Sequence, residues 1–138
     1  MIVREENITS VIPQREPFIM ISNLLDAAPD KFESDFFIKP DNIFIKDNIL
    51  QEAAIIENMA QTCAAGFGFL TNKSGIESVT GFIGAISKLK IYALPALQTK
   101  LNTKVKVMHR LENIFLVKGT LFQQNALLME CEMKIIVN

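Results

Sequence analysis

The chain has 138 residues, 49% of them apolar, which suits a single domain, 1–138, with a proper core. Its net charge is −1 with both signs interspersed, and it has one tyrosine and no tryptophan, so a polyanion surface or a base-stacking platform is excluded. No apolar run reaches membrane-spanning length, and acidic residues in MIVREENITSV sit where a signal peptide would need an apolar segment. The two cysteines, Cys63 and Cys131, form no metal or disulfide pattern and read as small buried hydrophobes. A soluble, reducing, cytoplasmic setting is expected, with no metal and no cofactor.

In chain order, a polar lead carries a short helical turn over Asn7–Ile12. Pro13 and Pro17 then bracket Gln14-Arg15-Glu16 in an extended or turning segment. Phe18–Ala27 is bulky and apolar enough for a first strand, Pro29-Asp30 marks a turn, and Lys31–Lys39 places Phe32, Phe36 and Ile38 on one strand face. Ile43–Asn48 reads as a connector, with Asp47 or Asn48 as the N-cap of the following helix.

That helix, Ile49–Phe69, is the longest run with helical spacing and is apolar on most of its circumference. Between Ala53 and Ala65 its polar side chains are Glu57, Asn58, Gln61 and Thr62. At about 100° per residue they fall within roughly 140° of arc. A helix this apolar is normally enclosed by other structure, and a carboxylate on it is costly unless paired or protonated. Glu57 is therefore the residue whose presence most needs a reason.

Thr71–Gly75 reads as a turn-rich exit. Val79–Tyr92 is a long apolar strand in which Gly81 and Gly84 suggest a bulge or a close backbone approach. Thr99–Met108 alternates, with Leu101, Thr103, Val105 and Val107 opposite Lys100, Asn102, Lys104 and Lys106, as a half-solvated strand does. His109–Asn113 reads as a turn, Ile114–Phe122 as a strand, Gln123-Gln124-Asn125 as a tight turn and Ala126–Val137 as the last strand. Two strands, one helix and four strands leave too few helices for parallel crossovers. The fold class is therefore α+β: one long central helix wrapped by a curved, mostly antiparallel sheet of about five to six strands.

Pro13-Gln14-Arg15-Glu16-Pro17-Phe18 resembles the Pro-His-Arg-X-Pro-Phe signature of 3-hydroxyacyl-(acyl carrier protein) dehydratases. Ile56-Glu57-Asn58-Met59-Ala60-Gln61 resembles their Ile-Glu-X-Met-Ala-Gln helix, and Lys118-Gly119-Thr120 through Glu130-Cys131-Glu132-Met133 resembles their final hairpin. The resemblance covers nearly the whole chain and implies the hotdog fold. Among relatives it points to the dehydratase-like proteins of aryl polyene and flexirubin-type pigment clusters.

One departure stands out. The family's Gly-His-Phe-Pro-Gly loop would fall near Asn42-Ile43-Phe44, with Ile43 in place of the catalytic histidine. The signature histidine near the N-terminus is replaced by Gln14. Dehydration takes a proton from the α-carbon and returns one to the β-hydroxyl, work that suits imidazole. The resemblance implies Glu57 as the catalytic carboxyl. It places Ile43, Phe44 and Asn48 beside the substrate, with amides of residues 48–51 serving the thioester carbonyl. Gln61 and Asn58 read either as substrate-side residues that line the pocket or support Glu57, or as polar groups satisfied within the core.

His109, the only histidine, reads as an exposed turn residue. Asp41 and Asp47 read as turn and cap residues rather than a second acid. Lys88 and Lys90 read as a solvated strand face rather than a docking site for an acidic carrier protein. Phe36, Phe37, Phe67 and Phe69 are core, with some available to wall an acyl channel.

The expected function is a dehydratase-like protein acting on 3-hydroxyacyl-(acyl carrier protein) thioesters in fatty acid or polyene biosynthesis, incomplete alone for want of the histidine. The expected ligand is an acyl carrier protein-bound or CoA-bound acyl thioester. The assembly is a homodimer, or a heterodimer with a histidine-bearing dehydratase, since the family builds its sites across an interface. The alternatives are a hotdog thioesterase using Glu57 and a non-catalytic acyl-binding partner subunit.

Overall fold

The structure is a computed structural model describing residues 1–74 and 81–137. A 3-10 helix over Glu5–Ser10 is followed by β1 (Asn23–Ala28), β2 (Lys31–Phe37), β3 (Ile45–Lys46), β4 (Ile49–Leu50) and α1 (Glu52–Ser74). Then come β5 (Gly81–Ile91), β6 (Lys100–Leu111), β7 (Ile114–Gln123) and β8 (Ala126–Val137). Six strands form one antiparallel sheet in the order β1-β2-β6-β7-β8-β5, and β3 pairs with β4 separately. The helix, about 35 Å long at 1.5 Å per residue, packs on β1, β2, β6 and β7. This is the wrapped-helix architecture that the dehydratase resemblance implies.

Alternation in the strands does the enclosing. Leu101, Thr103 and Val105 on β6 and Met129, Cys131, Met133 and Ile135 on β8 are buried, while Lys100, Lys104 and Lys106 face solvent. The helix contributes Ala54, Ile55, Met59 and Cys63 to the same core. A second cluster, with Ile8, Val11, Ile12, Ile21 and Leu24 around Ala65, seals the N-terminal segment onto the opposite flank of α1.

Several boundaries differ from the expectation, each for a local reason. The first strand begins at Asn23 rather than Phe18, because the Phe18 and Met20 backbone bonds to Gln61 and Asn58 side chains instead of a ladder. Residues 45–50 form a hairpin whose two-residue turn, Asp47-Asn48, has φ of 53° and 63°. Positive φ at both positions is the signature of a type I′ turn, so these residues turn the hairpin and do not cap α1. The helix runs through Thr71–Ser74, beyond its anticipated exit, with Asn72 Nδ2 donating to Ser10 O at 3.1 Å. His109, Arg110 and Leu111 continue β6, and the turn is confined to Glu112-Asn113, where Glu112 takes φ 55°. The register of β5 slips at Gly84 and again between Ser87 and Lys90. Gly75, Val79 and Thr80, assigned above to a turn and a strand, lie outside the described residues.

Candidate active site

The polar stripe on α1 is mostly interior. Asn58, Gln61 and Thr62 are fully buried. Asn58 Nδ2 donates to Met20 O at 2.7 Å, and its Oδ1 accepts from Thr103 Oγ1 at 2.5 Å. Thr62 Oγ1 donates to Asn58 O and lies 2.7 Å from Ser34 Oγ. These contacts bolt the helix to the N-terminal segment, β2 and β6, so Asn58 is committed to protein partners. Gln61 accepts from Met20 N at 2.7 Å, donates to Phe18 O at 2.8 Å and also donates to Glu57 Oε2 at 2.8 Å. One amide thereby ties the Glu57 carboxylate to the backbone of residues 18–20.

Glu57 itself is half-buried and lines a cavity of about 540 Å³. One wall is the helix face Ala60, Cys63, Ala64, Phe67 and Gly68; another is 9–15 with Gln14 and Arg15; Ile83, Ile135 and Val137 close a third side. Residues spaced three and four apart share a helix face, and here Ala60, Ala64 and Gly68 keep that face low, which leaves room beyond the carboxylate. Phe67 packs edge-on against Phe32 and Phe115, with centroids 5.0 and 4.7 Å apart. Arg15 is clamped to its own loop, Nη1 donating to Ile12 O and Gln14 O at 2.8 Å each.

Burial pushes the Cys63 thiol up to about 12, with Cys131 nearby adding to the effect. The Cys131 thiol is pushed up to about 11, by burial first and Glu132 second. Neither is a nucleophile near neutral pH. Among the described residues no group of three or more His, Cys, Asp or Glu could hold a metal.

The other residues singled out in the sequence lie elsewhere. Ile43, Phe44 and Asn48 line neither this cavity nor the smaller one of about 300 Å³ near Asp41 and Lys39. Ile43 is 48% exposed, Phe44 packs on the core, and Asn48 O accepts from Leu97 N. The amides of Leu50 and Gln51 are bonded to Pro95 O and Phe44 O, so they are not free for a thioester carbonyl. His109 is exposed on β6 and is not part of the cavity. Lys88 pairs with Glu132 at 3.1 Å. Of the phenylalanines, Phe67 walls the cavity, Phe36 is core, Phe69 packs on the N-terminal cluster and Phe37 is exposed. Gln14 and Arg15 are among the cavity residues to which the sequence assigned no role. Their signal was the proline-bracketed signature, in which Gln14 replaces a histidine.

A family model described as ApeP dehydratase matches residues 6–138. The chain belongs to the ApeP-like dehydratase family. The ApeP-like fold is similar to a chain of the dehydratase heterocomplex ApeI:P from Xenorhabdus doucetiae, with a TM-score of 0.87 at 12% identity over 95% of this chain and 90% of that one. It is also similar to Cj0977, a sigma28-regulated virulence protein from Campylobacter jejuni (TM-score 0.74, 11% identity, 94% and 92% covered). A hypothetical thioesterase from Streptococcus pneumoniae, solved with coenzyme A, has the same fold (TM-score 0.69, 8% identity, 94% and 90% covered). None of the curated proteins matches the chain in sequence. The family supports the dehydratase reading of this ApeP-like chain, and the thioesterase alternative is not better supported.

Proposed function

We propose that this ApeP-like chain supplies the carboxyl half of a dehydratase site for 3-hydroxyacyl thioesters, carried on acyl carrier protein or CoA, and that a histidine-bearing partner subunit supplies the imidazole. The observation carrying this reading is a cavity that holds an oriented carboxylate, Glu57, and no histidine. A base must take the α-proton; the electrons of that C–H bond form the new double bond as the C–O bond breaks, and the Glu57 carboxyl gives the departing hydroxyl a proton, releasing water. Gln61 holds that carboxyl in place, and the low helix face leaves space for the acyl chain.

Two further observations favour a paired assembly. The edge strand β5 leaves Ile83, Ile86 and Leu89, with Tyr92 just beyond it, 38–55% exposed, an apolar border of a kind usually covered. The similar ApeI:P assembly is a dehydratase heterocomplex. Across such a pairing, Ile43, Phe44 and Asn48 would border the site of the neighbouring subunit rather than that of their own chain. The setting is cytoplasmic and reducing, consistent with two free thiols, and the acyl chain one of fatty acid or aryl polyene synthesis.

The test is 3-hydroxyacyl- and crotonyl-thioester turnover by the chain alone, by a histidine-bearing homologue from the same genome, and by the two together. The mixture should be active, the chain alone inactive or very slow. Glu57→Gln should lower the mixture's kcat by about 10²-fold or more. A mixture no faster than its parts, or indifferent to Glu57→Gln, would leave an acyl-binding subunit without chemistry.

A further inference from the structure

Dehydration makes two demands on the hydroxyl that leaves. A lone pair on its oxygen must face the proton arriving from Glu57, and its own hydrogen must meet an acceptor once water is excluded. The acceptors around Glu57 are largely taken: Glu57 Oε2 by Gln61 Nε2, Gln61 Oε1 by Met20 N, and Asn58 Oδ1 by Thr103. One stands apart. Gln14 Oε1 is shut off from solvent and has no hydrogen-bond partner among the described residues, and Gln14 lines the same cavity as Glu57.

An orphaned interior carbonyl oxygen is uncommon and unfavourable, and it is relieved when a donor reaches it. The backbone of Gln14 is held by Arg15 Nη1 on its carbonyl. Its side chain is only half-buried and its terminal amide turns over a broad, soft torsion. A neutral amide also has a chemical merit at this place. It accepts the hydroxyl hydrogen without removing it and adds no charge beside Glu57.

We infer that Gln14 determines specificity by accepting a hydrogen bond from the 3-hydroxyl of a 3-hydroxyacyl thioester, selecting it over a chain that lacks the hydroxyl. The inference rests on the dehydratase reading and names its substrate-recognition group. Calorimetry on the full chain, with 3-hydroxyoctanoyl-pantetheine and octanoyl-pantetheine as probes, tests it. The unchanged protein should prefer the hydroxylated probe by about tenfold. Gln14→Met, close in shape but without the acceptor, should erase the preference by weakening the hydroxylated probe more than the octanoyl one. Gln14→His, which restores an acceptor nitrogen, should recover part of it.

Equal affinities in the unchanged protein, binding of neither probe, a preference surviving in Gln14→Met, or parallel loss of both probes each overturn the assignment. The two readings fail separately. Turnover by the mixed subunits without a Gln14-dependent preference removes the role of Gln14 alone, and a preference without turnover removes the reaction alone.

Discussion

At the scale of single residues, the helix polar stripe divides into one member that lines the cavity and others that hold the helix in place. Glu57 is hydrogen-bonded to Gln61, whereas Asn58 is bonded on both ends of its amide to buried groups, the Met20 carbonyl and the Thr103 hydroxyl. Replacing Asn58 by Leu leaves the Met20 carbonyl and the Thr103 hydroxyl short of partners, which should cost about 2–4 kcal/mol. Urea denaturation measures this, and a loss well under 1 kcal/mol would show that the seam is not structural. The cysteines carry a second prediction. Both thiols are held above their ordinary value of 9.0, at about 12 for Cys63 and about 11 for Cys131. Above pH 9 the unfolded chain releases those protons while the fold retains them, so stability is full below pH 9 and falls as pH climbs toward 11. Thermal melting at pH 8 and 10.5 should show the drop, and Cys63→Ala with Cys131→Ala should flatten it.

At the scale of elements, the fit between helix and surroundings depends on glycines as well as on the buried hydrogen bonds. A Cβ on Gly68 would run into the Val11 carbonyl oxygen, and one on Gly66 would meet the Phe32 ring. A backbone carbonyl in a packed segment yields less readily than a side chain, though the Phe32 ring is fully buried as well. Gly68→Ala should destabilise by about 1–3 kcal/mol and push the 9–12 segment off the helix. Faster proteolysis of the N-terminal segment in Gly68→Ala would report that movement, and an unchanged cleavage rate would contradict it. The same segment forms a wall of the cavity, so octanoyl-pantetheine binding should weaken as well.

At the scale of the whole molecule, the sheet ends on an uncovered strand. The other long strands of the sheet have neighbours on both sides and alternate buried with exposed residues, but β5 pairs only with β8 and is exposed nearly throughout. An 11-residue edge strand that exposes Ile83, Ile86 and Leu89 is a pairing template that proteins normally cover or blunt. Leu89→Asp with Ile86→Asp should therefore reduce any dimer to monomer in sedimentation equilibrium while leaving the melting of the monomer fold largely intact. A dimer that survives both changes would place the interface elsewhere.

What could be read in the sequence was local and periodic. The period of two in β6 and β8 and the period of 3.6 in α1 each state which face is buried, because side-chain direction is a property of the backbone repeat. That was enough for the wrapped helix, and a carboxylate in the middle of an apolar helix singled out Glu57 as the residue needing a reason before any neighbour was known. Three-dimensional structure decided the rest, since hydrogen-bond partners 38 to 45 residues apart leave no trace in spacing. Whether residues 18–22 join a ladder depends on Gln61 and Asn58 reaching across to them, and whether Gln14 and Arg15 share a cavity with Glu57 depends on how the N-terminal segment folds over the helix. Pattern fixes which way a side chain points within its own element; only the packing of one element on another determines what it meets.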